Sequence, residues 1–238
     1  MLGILVTSYK PHFFLYQDLL LSNLDKTKYK PIFLCSHENH KFVEMIGENI
    51  NTELQYLDIN PGHHDGVFMM NSLAASLFDD CEHILHYHAD IWFDQDLIEN
   101  TYNNLINGNY KIASMPRHWL FDNNGKYIDD KTVSFHYDFA ILEKDLFKKC
   151  FDMNILDDLK MKSVDNGHPS KQFEPCFYVA LKQNNVDFNK DILYIDDVMK
   201  LKNKFGDKPA YYNFFNEDSG IFHYDDDAFT SNNLHNKG

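Results

Sequence analysis

Positive charge is scarce in this sequence. Lysine and arginine together number 22 against 36 aspartate and glutamate residues, so the formal net charge is −14. Nucleic acid and anionic membrane surfaces repel a chain this acidic, which argues against either as its main partner. A phosphorylated ligand is compatible with the charge, because one local site can oppose the overall sign. A bound divalent cation would supply the positive charge that the chain lacks.

Two further features that the sequence lacks bear on the cellular compartment of the protein. The four cysteines show no CxxC spacing, and two of them lie in or beside predicted strands, which favours buried free thiols in a reducing compartment over a disulfide framework. The N-terminus shows neither a basic leader nor a long apolar run, which predicts no signal peptide and no transmembrane segment. We therefore expect a cytoplasmic enzyme.

The chain also lacks internal repeats and interdomain linkers. Its 238 residues, 44% of them hydrophobic and 15% aromatic, suffice for the core of one large domain. We expect a single domain over residues 1–228 and a disordered tail over 229–238.

Apolar, β-branched runs alternate with stretches of helical spacing in the first sixty residues. Strands are predicted over 2–6, 31–35 and 54–59, with helices over 13–24 and 42–50 between them. This alternation predicts an α/β domain with a mostly parallel, buried sheet flanked by helices. Later in the chain we predict helices over 67–78, 94–106, 144–151 and 177–183, strands over 83–93, 110–115, 133–142 and 192–198, and a polar loop or lid over 157–172.

The chemically richest stretch runs from Cys81 to Asp94, with the sequence CEHILHYHADIWFD. A short apolar run leads into His86 and His88 and then Asp90. Imidazole nitrogen and carboxylate oxygen are good ligands for a divalent cation, so the stretch predicts metal or proton chemistry at the end of a strand. In one continuous strand, residues 86, 88 and 90 would share a face. The alternative is a buried strand whose histidines only make hydrogen bonds.

Two other polar segments are expected at the same edge of the sheet. The first predicted strand ends in Thr7, Ser8 and Tyr9, and the second ends near Glu38. In parallel sheets, ligands collect beyond the C-terminal ends of the strands. Because the 86–90 cluster also falls there, three segments indicate one binding edge.

This order of elements and motifs resembles the GT-A fold of nucleotide-sugar-dependent glycosyltransferases, a single Rossmann-like domain, over roughly residues 2–225. In that fold an Asp-x-Asp motif at the end of a strand holds Mn²⁺ or Mg²⁺ against the donor diphosphate. His88-Ala89-Asp90 stands at this position, with His in place of the first Asp. The resemblance implies Mn²⁺ or Mg²⁺ as cofactor, with His88, Asp90 and the late His223 as its ligands.

The resemblance also implies a donor site. A nucleotide-diphosphate sugar would be the donor, and a glycan or another molecule with a hydroxyl group would be the acceptor. In the family, an arginine often precedes the asparagine of the donor site, whereas this chain has Met70 there. The residues implied in donor binding are Thr7, Ser8, Tyr9, Glu38, Asp65, Gly66, Asn71 and His136.

A general base is implied as well. Glu174 follows a polar segment and resembles the acid that serves as base in inverting members, although Pro175 stands where a second acid is usual. A positioned carboxylate can take the proton of an attacking hydroxyl. Asp138 is the next candidate for this role.

Two other classes of function are considered. His86-x-His88-x-Asp90 matches the HxHxD core of binuclear metallohydrolases, although Ile91 stands where another His is usual and apolar residues follow. The missing first acid, arginine and second acid would instead fit a non-catalytic nucleotide-sugar binding protein. The order of strands and helices upstream favours the glycosyltransferase over the hydrolase.

Overall fold

The computed structural model describes residues 1–57, 59, 62–128, 137–167, 173–206, 215–216 and 221–223. For residues 63, 64, 95, 205, 215–216 and 221–223 it describes the backbone alone. His136 and the tail over 229–238, both of which carry sequence predictions, lie outside the described residues.

Seven of the described strands form one mixed sheet, in the order β3-β2-β1-β4-β7-β6-β8, and three short ones form a second sheet, in the order β5-β10-β9. In the large sheet, β7 runs antiparallel to both of its neighbours, and the other pairs are parallel. The strands are β1 (Leu2–Ser8), β2 (Tyr29–Ser36), β3 (Glu53–Leu57), β4 (His83–His88), β5 (Ile91–Phe93), β6 (Ile112–Ser114), β7 (Phe139–Glu143), β8 (Ile192–Tyr194), β9 (Phe215–Asn216) and β10 (Ile221–His223).

Helices cover both faces of the large sheet. Successive residues of β1 alternate between two apolar clusters, Leu5 in one and Ile4 and Val6 in the other, as the two-residue period of a strand requires. The first cluster includes side chains of α3, α5, α6 and α7, and the second those of α1, α2 and α4. The helices are α1 (Phe14–Leu21), α2 (His40–Gly47), α3 (His63–Leu77), α4 (Gln95–Asn107), α5 (Lys144–Cys150), α6 (Leu156–Asp165), α7 (Phe173–Gln183) and α8 (Val198–Phe205).

The predicted fold class is therefore confirmed: an α/β domain with a mostly parallel sheet flanked by helices. The four cysteines are buried free thiols, as predicted. Burial raises the pKa of Cys35 and Cys150 to about 12 and that of Cys81 to about 11, so these thiols stay protonated near neutral pH. None of the described helices combines the length and apolar character needed to cross a lipid bilayer.

The prediction of one strand over 83–93 is wrong. Pairing with β1 and β7 ends by His88, residues 89–90 form a turn, and the chain re-enters a different sheet as β5. Residues 86, 88 and 90 therefore do not share the face of one strand. The turn is held from outside the segment, because the Ala89 N–H donates to the Thr7 carbonyl at 2.9 Å.

The prediction of a loop or lid over 157–172 is also wrong in its first part. Residues 156–165 form α6, and residues 168–172 lie outside the described chain. Leu156 and Leu159 are buried in the first apolar cluster, so this helix packs on the core through two leucines although its remaining residues are mostly polar.

Two helices begin earlier than the sequence predicts. α3 begins at His63 after Gly62, whose φ of +88° is readily adopted only by glycine, so Asp65 and Gly66 lie inside the helix and not before it. α7 begins at Phe173 and contains Pro175 in its first turn, where a missing N–H costs no hydrogen bond.

Elements in the second half of the chain also differ from the sequence prediction. β8 ends at Tyr194, short of the predicted 198, and the unpredicted α8 follows. The Asp197 side chain caps α8 by accepting from the N–H groups of Met199 and Lys200. β7 begins at Phe139, and residues 133–136 of its predicted strand lie outside the described residues.

Candidate active site

The candidate site lies along one edge of the large sheet. β1, β2, β4 and β6 are all parallel to one another, so their C-terminal ends share that edge, and the antiparallel β7 begins there. The edge therefore collects the segments that follow Ser8, Ser36, His88 and Ser114, and it also receives Asp138, just before β7. This is the edge that the sequence predicts for ligand binding.

Gln17 fixes the backbone on both sides of Asp90. Its side chain is fully buried in α1, and its Nε2 donates to the carbonyls of Ala89 at 2.7 Å and Ile91 at 2.8 Å. The Tyr87 hydroxyl donates to Gln17 Oε1 at 2.9 Å, which fixes the orientation of the amide. The Asp90 turn is thus held rigidly at the end of β4, and Asp90 Oδ1 is itself shielded from solvent.

His88 and Asp138 face each other across the β4–β7 pair. His88 Nδ1 lies 3.8 Å from Asp138 Oδ1, and the His88 N–H donates to the Asp138 carbonyl at 3.3 Å. Both side chains are partly accessible, 22% and 30% exposed. The structure therefore brings together two residues that the sequence assigns to different roles, a metal ligand and a candidate base.

A buried polar network lies directly behind this pair. His86 Nε2 lies 2.9 Å from Thr7 Oγ1, and its ring stacks on Tyr137 at a centroid distance of 4.5 Å. The Tyr137 hydroxyl donates to Asn71 Oδ1 at 2.7 Å, and Asn71 Nδ2 donates to the Val67 carbonyl at 2.8 Å. The side chains of Thr7 and Asn71, predicted to bind the donor, are thus hydrogen-bonded inside the protein.

His86 is neutral in this network. Burial holds the pKa of His86 well below its usual range, and the nearby His88 acts in the same direction. The Tyr137 carbonyl, 3.4 Å from His86 Nδ1, can only accept, so we assign the proton to Nδ1, and Nε2 accepts from the Thr7 hydroxyl. A fully buried imidazole with both nitrogens engaged does not fit the first ligand of a binuclear metal centre.

The residues at the end of β4 offer donor atoms that suit a single divalent cation. His88 and Asp90 offer an imidazole and a carboxylate, donors that suit Mn²⁺. β10 pairs with β5 so that His223 lies opposite Ile91, one residue beyond Asp90 in the chain, and the structure describes only the backbone of His223. Among the described side chains, no three His, Cys, Asp or Glu groups come together closely enough to hold a metal.

An arginine that the sequence analysis overlooked pairs with Glu174. Arg117 follows β6, and its Nη2 lies 2.6 Å from Glu174 Oε1 in the first turn of α7. Phe173, the residue before Glu174, packs on Tyr137 at a ring distance of 5.1 Å, which brings this pair near the start of β7. The signal that could have revealed it is simple: Arg117 is the only arginine in the sequence.

The other predicted donor-binding residues occupy three separate positions. Tyr9 and Glu38 are exposed in the loops after β1 and β2, and the Ser8 hydroxyl accepts from the Lys10 N–H at 2.9 Å. Asp65 forms an ion pair with Lys160 of α6 at 2.9 Å. Gly66 continues the first turns of α3, where its N–H donates to the Gly62 carbonyl.

Comparison with known proteins finds matches in structure but none in sequence. No protein-family model matches the chain, and no curated protein is similar to it in sequence. Two structures of LgtC, one described as a galactosyltransferase in complex with donor and acceptor sugar analogues, match at TM-scores of 0.56 and 0.54 with 9% and 11% identity. Each covers 93% of this chain and 86% of LgtC.

Two further solved structures share the architecture. The mannosyltransferase PcManGT from Pyrobaculum calidifontis, in complex with GDP-Man and Mn²⁺, matches at a TM-score of 0.53 with 13% identity over 83% of this chain. The 4-diphosphocytidyl-2C-methyl-D-erythritol synthase from Anaerococcus prevotii matches at 0.51 with 9% identity, covering 100% of this chain and 96% of that one.

The chain spans 57% of the S. aureus TarS 1-349 structure and 55% of PcManGT. TM-scores of 0.51 to 0.56 at identities of 9% to 13% show a shared fold alone, and the reaction has to be argued from the residues. The sheet order, the helices on both faces and these structural matches together show that the chain has the GT-A fold.

Proposed function

We propose that the protein is a metal-dependent glycosyltransferase that moves a sugar from a nucleotide-diphosphate sugar to an acceptor hydroxyl. The observation that carries the proposal is the convergence of His88, Asp90, Asp138 and the Arg117–Glu174 pair on the ligand-binding edge of a GT-A sheet. The glycosyltransferases among the structural matches support the same reaction.

The metal ion belongs to the proposal. His88, Asp90 and His223 would hold Mn²⁺ or Mg²⁺, and PcManGT was solved with Mn²⁺ and GDP-Man. When bound, the cation supplies Lewis-acid stabilisation of the charge that develops on the diphosphate as the sugar leaves. An acidic chain needs such a charge at the site, because carboxylates alone would repel the diphosphate.

Positioning of this ligand set would come from residues behind it. Gln17 fixes the turn that carries Asp90, and the network of Thr7, His86, Tyr137 and Asn71 fixes the backbone that carries Asp138. We therefore assign Thr7 and Asn71 a positioning role in place of direct donor contact. Ser8, Tyr9, Glu38, Asp65, Gly66 and His136 stay predictions for donor binding.

Glu174 is proposed as the general base. It would accept the proton of the acceptor hydroxyl as the oxygen attacks the anomeric carbon from the face opposite the leaving diphosphate. This geometry inverts the configuration at that carbon. Asp138 is the second candidate, since it lies on the same edge and is partly exposed.

The two alternative functions are less well supported. A binuclear metallohydrolase would need His86 as a ligand, and His86 is buried, neutral and hydrogen-bonded within the protein. A non-catalytic nucleotide-sugar binding protein would share the donor site but would not turn the donor over. A measurement of turnover therefore distinguishes it from a glycosyltransferase.

The test of the proposal is a screen of nucleotide sugars with the purified protein. In the presence of Mn²⁺, slow hydrolysis of one nucleotide sugar is expected, because water can replace an absent acceptor. Binding without turnover would support the non-catalytic alternative, and tightly bound zinc together with indifference to nucleotides would support the hydrolase.

The base is tested by Glu174→Gln. This variant should bind the donor normally and lose turnover by roughly 10²-fold or more, the usual contribution of a general base. Glu82→Gln is the matched control, because Glu82 is exposed and precedes β4 at the opposite edge of the sheet. Turnover near that of wild type in Glu174→Gln would move the role of base to Asp138.

A further inference from the structure

Arg117 stands out by its identity and by its environment. The other 21 of the 22 basic residues are lysines, so the chain uses its one arginine at the ligand-binding edge. The guanidinium carbon lies 5.7 Å from the centre of the Trp119 ring, and its side chain is only 13% exposed. For comparison, Lys160 in its ion pair with Asp65 is 26% exposed.

One ion pair with Glu174 uses only part of the hydrogen-bonding capacity of the Arg117 guanidinium. A guanidinium carries five N–H donors in a rigid, planar fork, whereas an ammonium is a compact point charge. Glu174 accepts from Nη2, and among the described residues Arg117 Nε has no hydrogen-bond partner. Nε is shielded from solvent, so a ligand beside Glu174 would meet the N–H groups at the Nη end of the fork.

The distance between the two groups limits what can bind there. Glu174 Oε1 and Arg117 Nη2 are 2.6 Å apart, so a ligand atom that touches the carboxylate has a guanidinium donor immediately beside it. A hydroxyl can donate to the carboxylate and accept from Nη2, and a second oxygen next to that hydroxyl can accept from a further N–H group at the end of the guanidinium.

We propose that Arg117 is an acceptor-binding residue and that the acceptor is a sugar with neighbouring hydroxyl groups. One hydroxyl donates to Glu174 and becomes the nucleophile, and the adjacent oxygen accepts from Arg117. Trp119 forms the apolar wall of this subsite, as aromatic rings commonly do in small-molecule sites. The proposal rests on the proposed function, since it takes Glu174 as the base.

The location fits two substrates side by side. β4 and β6 are separated by β7 alone, so their C-terminal ends are about 10 Å apart across the sheet. The donor diphosphate would lie beyond β4 at Asp90, and the acceptor beyond β6 at Arg117. An acceptor with one isolated hydroxyl, such as a serine side chain or a simple alcohol, would engage fewer of the guanidinium N–H groups and would bind more weakly.

The test uses the scarcity of tryptophan in the chain. Trp92 and Trp119 are the only two, so Trp92→Phe leaves Trp119 as the sole tryptophan reporter beside Arg117. The emission of this variant is titrated with glucose, galactose, mannose, xylose and N-acetylglucosamine, and with ethanol and serine amide as probes that carry a single hydroxyl. No donor is added, so binding is read independently of turnover.

The proposal predicts a saturable change in emission with at least one monosaccharide, at concentrations where ethanol and serine amide cause none. Adding Arg117→Lys, which keeps the charge but removes the fork, should weaken that sugar at least about 10-fold, the scale of one charge-assisted hydrogen bond. Lys111→Gln is the matched control, because Lys111 pairs with Asp191 at the opposite end of β6 and should leave sugar affinity unchanged.

Three results would overturn the inference: no saturable response to any of the sugars, equal binding of ethanol or serine amide, or unchanged sugar affinity in a folded Arg117→Lys protein. The melting temperature of each variant checks that it is folded. Sugar binding in a protein that hydrolyses no nucleotide sugar would leave the subsite standing and contradict the reaction, so the two failures are distinguishable.

Discussion

Two neighbouring residues of α1 connect different parts of the molecule. Gln17 holds the Asp90 turn, and Asp18, next to it, holds the chain just before β3. Asp18 Oδ1 accepts from the Thr52 N–H and hydroxyl at 2.8 and 2.7 Å, and Oδ2 accepts from the backbone and side chain of Asn51 at 3.0 and 3.2 Å. α1, which packs in the second apolar cluster, thus holds both the Asp90 turn and the chain before β3.

Asp18→Asn is expected to lower stability in a pH-dependent way. Burial alone would raise the pKa of Asp18, but the hydrogen bonds from Thr52 and Asn51 outweigh it and hold the pKa below its usual value. A carboxyl with a depressed folded-state pKa stabilises the protein above its unfolded pKa of about 4 and loses that contribution as the pH falls through the folded-state pKa.

The measurement is urea unfolding of both proteins at pH 7 and near pH 3. At pH 7 the variant should be less stable by about 1–3 kcal/mol, the cost of weakened hydrogen bonds to a buried charge. The difference should shrink at the lower pH. A difference that stays constant over this range would show that the carboxylate charge plays no part.

Single residues were the hardest part to predict from the sequence. The cluster of His86, His88 and Asp90 could be recognised because its members are close together in the chain. Gln17 acts on residues more than 70 positions away, and Arg117 pairs with an acid 57 positions away. Neither belongs to a local pattern, so only the fold reveals them.

At the scale of elements, the contact between β1 and α3 is unusually close. Gly3 lies in β1, and a Cβ atom added there would come within 2.5 Å of the Phe78 ring, just beyond the end of α3. Phe78 is fully buried, so the ring has little room to move. The glycine therefore sets how closely the helix approaches the sheet.

Gly3→Ala should destabilise the protein by about 1–3 kcal/mol, the usual cost of overpacking a core. Gly47→Ala is the matched control: its added Cβ would meet only Leu54 at 3.4 Å, and alanine in α2 should leave stability unchanged or raise it by up to about 1 kcal/mol. Urea unfolding of both variants measures this, and equal stability of Gly3→Ala and wild type would mean that the ring moves freely.

Elements were predicted well where one pattern dominates. Strands β1 and β2 and helix α4 follow clear apolar periodicity and agree with the sequence prediction to within a few residues. The break between β4 and β5 was missed because Ile91, Trp92 and Phe93 are as apolar as the strand before them. Their place in a second sheet depends on pairing with β10, some 130 residues later, which no local pattern encodes.

At the scale of the whole molecule, the fold and the net charge together determine what the candidate site needs in order to bind a diphosphate. The proposed nucleotide-sugar donor would bind at the C-terminal edge of the sheet, yet this chain carries a net charge of −14 and lines that edge with Asp90, Asp138 and Glu174. Without a cation, a diphosphate would meet repulsion there. Dependence on a divalent cation is therefore the central claim.

Calorimetric titration with UDP, GDP, CDP and ADP, each with and without Mn²⁺, tests that claim most directly. The account predicts that one nucleoside diphosphate binds only in the presence of Mn²⁺, and that Asp90→Asn abolishes this binding. Asp80→Asn, at the opposite end of β4, should leave it intact. Equal binding without the cation, or undiminished binding by Asp90→Asn, would contradict the account.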